Sequence, residues 1–236
     1  MFLLLSGEGT TDIGTQDDEI GPMTKFIDNW ITPRINYSLI DIGQYTLVTK
    51  EELSQKAKSI KSLSKKGKKH PSETRYYYKN ARALALLAQE ESSKRDSITV
   101  IPILFRDADG TASSDRGEWE YKRKSMLKGF EHEGILTGVP MIPKPKSEAW
   151  ILCALRNNYQ NCQQLESESG NDDSPNSLKK QLEDHLDEPA TRELLNDQID
   201  LGRLDISKIV DMPSLTAFKQ RLDEVLENLG WYRREY

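Results

Sequence analysis

Phe2 to Leu5 is an unbroken apolar run that stops at Ser6-Gly7-Glu8-Gly9, the pattern of a buried parallel strand ending in a glycine-bracketed turn. Gly14 to Gly21 is polar and acidic and reads as a loop. Pro22 then opens a helical pattern with Met23, Phe26, Ile27, Trp30 and Ile31 on one face and Pro33 at its end. Ser38 to Val48 supplies a strand around Leu39–Ile42, and Glu51 onward is helix-permissive until Ser62–Ser72, which reads as an exposed loop. Glu73 to Glu91 is a helix with Tyr77, Ala81, Leu84, Ala85 and Ala88 at helical spacing. Ile98 to Phe105 is nearly all apolar and β-branched, so it predicts a central strand buried on both faces, ending at Arg106-Asp107-Ala108-Asp109-Gly110.

Thr111–Arg116 reads as a loop, Glu118–Glu133 as an amphipathic helix closed by Gly134, and Gly138–Ile142 as a short strand. Ser147 to Leu155 begins a further helix with Ser147 at its N-cap. Glu166–Pro175 reads as a flexible acidic loop, followed by helices over Leu178–Leu186, Ala190–Ile199 and Pro213–Leu229. Strands alternating with helices imply an α/β fold, a mainly parallel central sheet between helices. The organisation expected is a catalytic domain over residues 1–160, with a basic insertion at about 50–80, and a C-terminal helical region over 175–236 packed on it. There are no internal repeats.

The chain of 236 residues is long enough to bury a sizeable core. Its net charge of −5 is unevenly spread. Between Lys56 and Arg82 ten basic residues (Lys56, Lys58, Lys61, Lys65, Lys66, Lys68, Lys69, Arg75, Lys79 and Arg82) face only Glu73, whereas Glu166–Asp211 leans acidic. One concentrated basic segment on an acidic chain points to a local polyanion contact. Tyr76, Tyr77 and Tyr78 add aromatic rings beside those charges, either to stack on unpaired bases or to pack into the core. The apolar run at Met1–Leu5 is too short for a signal peptide or a membrane span, so a cytoplasmic protein without a membrane partner is expected. Cys153 and Cys162 stand nine positions apart, neither a zinc spacing nor a disulfide framework, and read as reduced bystander thiols. His70, His132 and His185 are scattered, and Trp150 and Trp231 read as packing residues.

Ligands in a parallel α/β sheet bind at the carboxyl ends of the strands. Glu8 follows the first strand, Asp107 and Asp109 follow the Ile98–Phe105 strand, and Glu148 follows the Gly138–Ile142 strand and the Pro143–Pro145 turn. Asp residues at i and i+2 in an extended segment point the same way. Converging carboxylates repel one another unless a cation lies between them, and hard oxygen ligands suit Mg²⁺ or Mn²⁺, with a substrate phosphate completing the shell. Such a site can activate water against a phosphodiester. Lys144 and Lys146, just before Glu148, are candidates to hold the phosphate.

Ser6-Gly7-Glu8-Gly9-Thr10-Thr11-Asp12 resembles the Glu-Gly-x-x-Asp opening of Toprim domains, and Phe105-Arg106-Asp107-Ala108-Asp109 resembles their Asp-x-Asp motif. Pro143-Lys144-Pro145-Lys146-Ser147-Glu148-Ala149-Trp150 resembles a Pro…Glu-x-Trp segment of small stand-alone Toprim-like proteins, related to the overcoming-lysogenization-defect nucleases and often encoded beside an ATPase in anti-phage defence clusters. The Ile199-Asp200-Leu201 segment, Phe218 and the terminal helix are similar to that group more loosely. The resemblance implies a Toprim fold with a four-stranded, mostly parallel sheet. It implies Glu8 as general acid/base or metal ligand, Asp107 and Asp109 as the metal-binding pair, and Glu148 as a further acid of the nuclease branch. The long segment between the first two motifs, with its lysine-rich insertion, departs from the pattern.

Two functions of different class follow. One is a Mg²⁺- or Mn²⁺-dependent nuclease with catalytic Glu8, Asp107, Asp109 and Glu148, acting on DNA or RNA as the effector of an ATPase-coupled defence system. Its nucleic acid would be held by Lys65, Lys66, Lys68, Lys69, Arg75, Lys79, Lys144 and Lys146. The other is a non-enzymatic module that binds nucleic acid or the ATPase. A third, another Mg²⁺ phosphotransfer or nucleotide-binding activity, would have to use the same acids, because no Walker A loop or G-x-G-x-x-G motif is present.

Overall fold

β1 (Phe2–Ser6), β2 (Tyr45–Val48), β3 (Val100–Phe105) and β4 (Val139–Met141) form one parallel sheet in the order β2-β1-β3-β4. The structure is a computed structural model and describes residues 1–16, 19–61, 77–108, 119–156, 161–209 and 211–231. All five residues of β1 and all six of β3 are buried, as continuous apolar runs require of strands covered on both faces. Pro102 is tolerated within β3 by the ladder. Phe2 donates its N–H to the Thr99 carbonyl, so odd-numbered residues of β3 serve β1 and even-numbered ones face β4. Pairing with β4 begins only at Ile103, so at Pro102 no ladder bond is lost.

The pleat sorts side chains between two cores. Leu3, Leu5, Ile101, Ile103, Phe105, Val139 and Met141 meet α2 (Pro22–Ile35), α6 (Ser147–Leu155) and α9 (Pro213–Asn228). Phe2, Leu4, Val100 and Leu104 meet α3 (Lys50–Ser59), α4 (Tyr78–Lys94) and α5 (Trp119–His132) on the other face. The short α1 (Thr10–Ile13) follows β1 directly, and α7 (Leu178–Leu186) and α8 (Arg192–Asp200) precede α9. The chain leaving β1 passes through α2 on one face to the edge strand β2. The chain leaving β3 passes through α5 on the opposite face to β4. The connections after these two adjacent strands therefore diverge, opening a crevice at their carboxyl ends.

The C-terminal helices are fastened to the sheet layer. Asp223 on α9 accepts from the Trp30 indole at 2.8 Å and from Arg34 at 2.6 Å, both on α2. Arg221 donates to the carbonyls of Gly138 and Leu136 beside β4. Trp150 of α6 donates to the Ser214 hydroxyl at 2.8 Å.

Several local expectations shift. Leu39–Ile42 is a turn, and the strand lies later, at Tyr45–Val48. The buried Asp28 carboxylate accepts from the N–H groups of Leu39 and Ile40 and from the Ser38 hydroxyl, which fixes this segment as a clip onto α2. α4 begins at Tyr78 because Tyr77 adopts a left-handed conformation, φ 59°. Part of the expected Glu166–Pro175 loop is instead a 3-10 turn, Cys162–Ser167, in which Glu166 is buried and accepts the Ser214 N–H at the start of α9. Cys153 and Cys162 are joined in a disulfide, with Cα atoms 5.7 Å apart, rather than standing as free thiols. Asn161, left-handed at φ 62°, opens the 3-10 turn that brings Cys162 to the last turn of α6. Among the described residues no helix is long and apolar enough to cross a membrane.

Candidate functional site

Glu8 lies two residues past β1, Asp107 two past β3, and Glu148 in the first turn of α6, after β4. All three reach the crevice between the diverging connections. The fourth acid there is Asp12. Helix α1 carries it back over the strand ends, with Gly21 packed so closely beneath that any side chain would overlap the Asp12 carbonyl. The four carboxylates are half-buried, so the cluster opens to solvent.

Ser147 joins the cluster. Its backbone N–H donates to Asp107 Oδ1 at 3.0 Å, and its hydroxyl donates to Asp12 Oδ1 at 2.9 Å and lies 3.4 Å from Glu148 Oε2. The expected N-cap is thus one residue off. Lys146 is the N-cap of α6, and Ser147, the first helical residue, holds two acids from other loops, Asp107 through its backbone N–H and Asp12 through its hydroxyl. One oxygen each of Asp107 and Asp12 is engaged this way.

The electrostatics are those of uncompensated negative charge. Burial pushes the Asp107 carboxyl well above the usual carboxylate range, and the charges on Asp12 and Glu148 push it further. The Ser147 N–H opposes them, and Glu8 adds a smaller rise. Asp12 is raised to about 6, chiefly by burial. The Ser147 hydroxyl and Lys146 counter this in part, and Glu148 and Glu8 reinforce it. Two cations flank the acids. Arg106, buried between the strand end and Glu8, has its Nε 3.5 Å from Glu8 Oε1, and burial draws its pKa below the ordinary guanidinium value. Lys146 is partly buried, which disfavours its charge. The Asp172 carboxylate 2.8 Å away, with Glu148 and Asp107, outweighs this and raises its pKa.

This donor set could hold a cation only in a hydrated form. Ligand oxygens about 2.1 Å from Mg²⁺ lie roughly 3–4 Å from one another. Among the described residues no trio of these carboxylates brings one oxygen each within 4.8 Å of the others, whereas Cys153, Cys162 and Asp211 do. One or two direct carboxylates with water completing the shell is the arrangement compatible with these positions, and Mg²⁺ retains water readily. A cleft of about 330 Å³ between Gly7–Thr10 and Leu47–Glu51 adjoins Glu8. A larger one of about 550 Å³ runs from Thr10, Thr11 and Thr15 to Lys179 and Arg192 on the C-terminal helices.

Of the residues expected from sequence, Glu8, Asp107, Glu148 and Lys146 come together. Lys144 is half-buried in the turn leading to α6 and follows the same loop. Asp109, Lys65, Lys66, Lys68, Lys69 and Arg75 lie outside the described residues. Lys79 is half-buried near the start of α4. Arg82, one of the ten basic residues of this segment, is buried and paired with Glu133 at 2.5 Å. Tyr78 is buried and the Tyr77 hydroxyl donates to the Asp107 carbonyl at 3.1 Å, while Tyr76 lies outside the described residues. Asp12 and Ser147 are functional candidates that spacing alone did not single out, although Asp12 is the second acid of the Glu-Gly-x-x-Asp stretch. Compared with known proteins, the chain matches no family model, no curated protein and no solved structure.

Proposed function

We propose that this chain is a Toprim-like, Mg²⁺- or Mn²⁺-dependent phosphodiesterase acting on nucleic acid, with Glu8, Asp12, Asp107 and Glu148 as its acidic site. The observation that carries the reading is the convergence of four acids, from the connections after β1, β3 and β4, on the crevice between the two adjacent strands whose connections diverge. Like charges gathered at a solvent-open strand end oppose folding stability, and a bound cation with a substrate phosphate relieves them.

A divalent cation bound there supplies a Lewis acid for the phosphoryl oxygen and lowers the pKa of coordinated water. Asp107, with one oxygen fixed by the Ser147 N–H, would offer the other to that cation. Arg106 orients Glu8 through its guanidinium. Asp12, titrating near neutrality, can take a proton from an attacking water and return it to a leaving oxygen. Lys146 and Lys144 balance phosphate charge at the mouth. The basic segment before α4 supplies a longer contact with the polyanion.

The test is cleavage of single- and double-stranded DNA and RNA with Mg²⁺ or Mn²⁺, by the chain alone and with an ATPase encoded beside it. Asp107→Ala and Asp12→Ala are expected to lower the rate by at least ~10²-fold with the fold intact. Silence of the wild type under all these conditions, with nucleic acid still bound, leaves the binding-module reading in its place.

A further inference from the structure

The disulfide between Cys153 and Cys162 has a third group beside it. Asp211, in the lead-in to α9, accepts the Cys162 N–H through Oδ2 at 3.0 Å. Its other oxygen, Oδ1, is buried and has no hydrogen-bond partner among the described residues. The two sulfurs and an Asp211 oxygen all lie within 4.8 Å of one another. A buried carboxylate oxygen left without a donor is costly and uncommon in native structures, and calls for a partner. The disulfide, which offers no proton, does nothing to satisfy it.

We propose that, once the disulfide is reduced, Cys153, Cys162 and Asp211 form a site for a thiophilic divalent cation such as Zn²⁺. Two thiolates and a carboxylate are a ligand set that Zn²⁺ accepts, leaving a fourth position for water. The backbone already has the spacing. Two Zn–S bonds of about 2.3 Å at a tetrahedral angle set the sulfurs roughly 3.8 Å apart. Cα atoms 5.7 Å apart reach that separation by side-chain rotation alone. The cysteines are fully buried, which shields the site from competing ligands, and Asp211 is half-buried and gives the ion its way in. The ligands come from α6, the 3-10 turn at Cys162–Ser167 and the approach to α9, so the ion would replace the covalent tie among the same elements.

The balance is simple. A dithiol or phosphine reductant gives two electrons to the S–S bond, two protons complete the thiols, and the reductant leaves oxidised. Zn²⁺ then displaces both protons, which go to solvent. The site does not depend on the acidic cluster or on nuclease activity.

The experiment uses the full chain, reduced with a phosphine and desalted anaerobically. Zn²⁺ competition against a chromophoric indicator should show about one equivalent bound with release of about two protons. Co²⁺ should give a thiolate charge-transfer band in the near ultraviolet. The oxidised chain and the Cys153→Ser/Cys162→Ser double variant should show neither, and Asp211→Asn should bind at least about tenfold more weakly. If reduction loosens the fold, Zn²⁺ should restore the far-ultraviolet dichroism. Reduced chain that takes up no more Zn²⁺ than the double-serine variant, an unfolded reduced chain that Zn²⁺ does not rescue, or unchanged binding by Asp211→Asn overturns the proposal.

Discussion

The Ser147 hydroxyl donates to Asp12 Oδ1 at 2.9 Å, a bond between the first turn of α6 and the helix after β1, 135 residues apart in the chain. It brings two loops of the candidate site into register and offsets part of the repulsion at Asp12. Ser147→Ala keeps the backbone N–H to Asp107 and removes this bond together with the weaker hydroxyl contact to Glu148 at 3.4 Å. The Asp12 carboxyl should then titrate above its value of about 6, and cleavage should fall about tenfold. Carboxyl-resolved NMR titration of the two proteins checks the shift; superimposable titrations would show that Ser147 does not govern Asp12.

The acid cluster also fixes the sign of the pH dependence. Asp12 is raised from 3.8 to about 6 and Asp107 moves the same way, so between about pH 4 and 6 the folded chain holds more protons than the unfolded one. Asp12 therefore contributes a loss of stability as pH rises through that window, and Asp107 contributes in the same direction. Asp12→Asn removes the charge and should raise metal-free stability at pH 7 by on the order of 1–3 kcal/mol. Denaturant titrations across that range, without and with Mg²⁺, measure both; a wild type whose stability changes with pH just as that of Asp12→Asn does would contradict the clustering.

Arg82 and Lys79 separate structure from binding on α4. Arg82 is buried against Glu133, so Arg82→Ala leaves a carboxylate unpaired and should cost about 3 kcal/mol. Lys79→Ala should leave stability nearly unchanged and lower the slope of log affinity against log salt for nucleic acid by about one. Thermal melts and salt titrations of the two variants decide it, and the reverse pattern would reassign both residues.

The lysine-rich segment calls for its own test. Replacing Lys65, Lys66, Lys68 and Lys69 with Gln should weaken binding to any nucleic acid and flatten its salt dependence by about one unit per lost phosphate contact. Salt titrations that superimpose on the wild type would remove the segment from the interface.

Much of the scaffold was legible because its signals are local. β1 and β3 are continuous apolar runs, and Glu8 and Asp107 stand directly after them. What was hidden depended on distant partners. Asp28 turns Ser38–Ile40 into a clip rather than a strand, and no periodicity reports that. The Cys153–Cys162 bond rests on a chain reversal that a nine-residue spacing does not announce. Arg82 looks like one more cation in a basic stretch until Glu133, far along the chain, neutralises it. Asp12 was visible as a motif letter, yet its place in the site follows only from the turn of α1 over the strand ends. Ser147 reads as an ordinary helix cap, and its role comes from acids contributed by two other loops.

The central claim is that Glu8, Asp12, Asp107 and Glu148 together attract one hydrated divalent cation, with one or two of them as direct ligands. Mn²⁺ binding followed by electron paramagnetic resonance measures this most directly, using the oxidised chain so that the cysteines take no part. The wild type should bind Mn²⁺ specifically and in competition with Mg²⁺, releasing protons near pH 6 as Asp12 ionises. Asp107→Asn should weaken binding at least about tenfold. Wild-type protein that binds no Mn²⁺ above the background of a Glu8→Gln/Asp12→Asn/Asp107→Asn/Glu148→Gln variant, with or without nucleic acid present, would contradict the account.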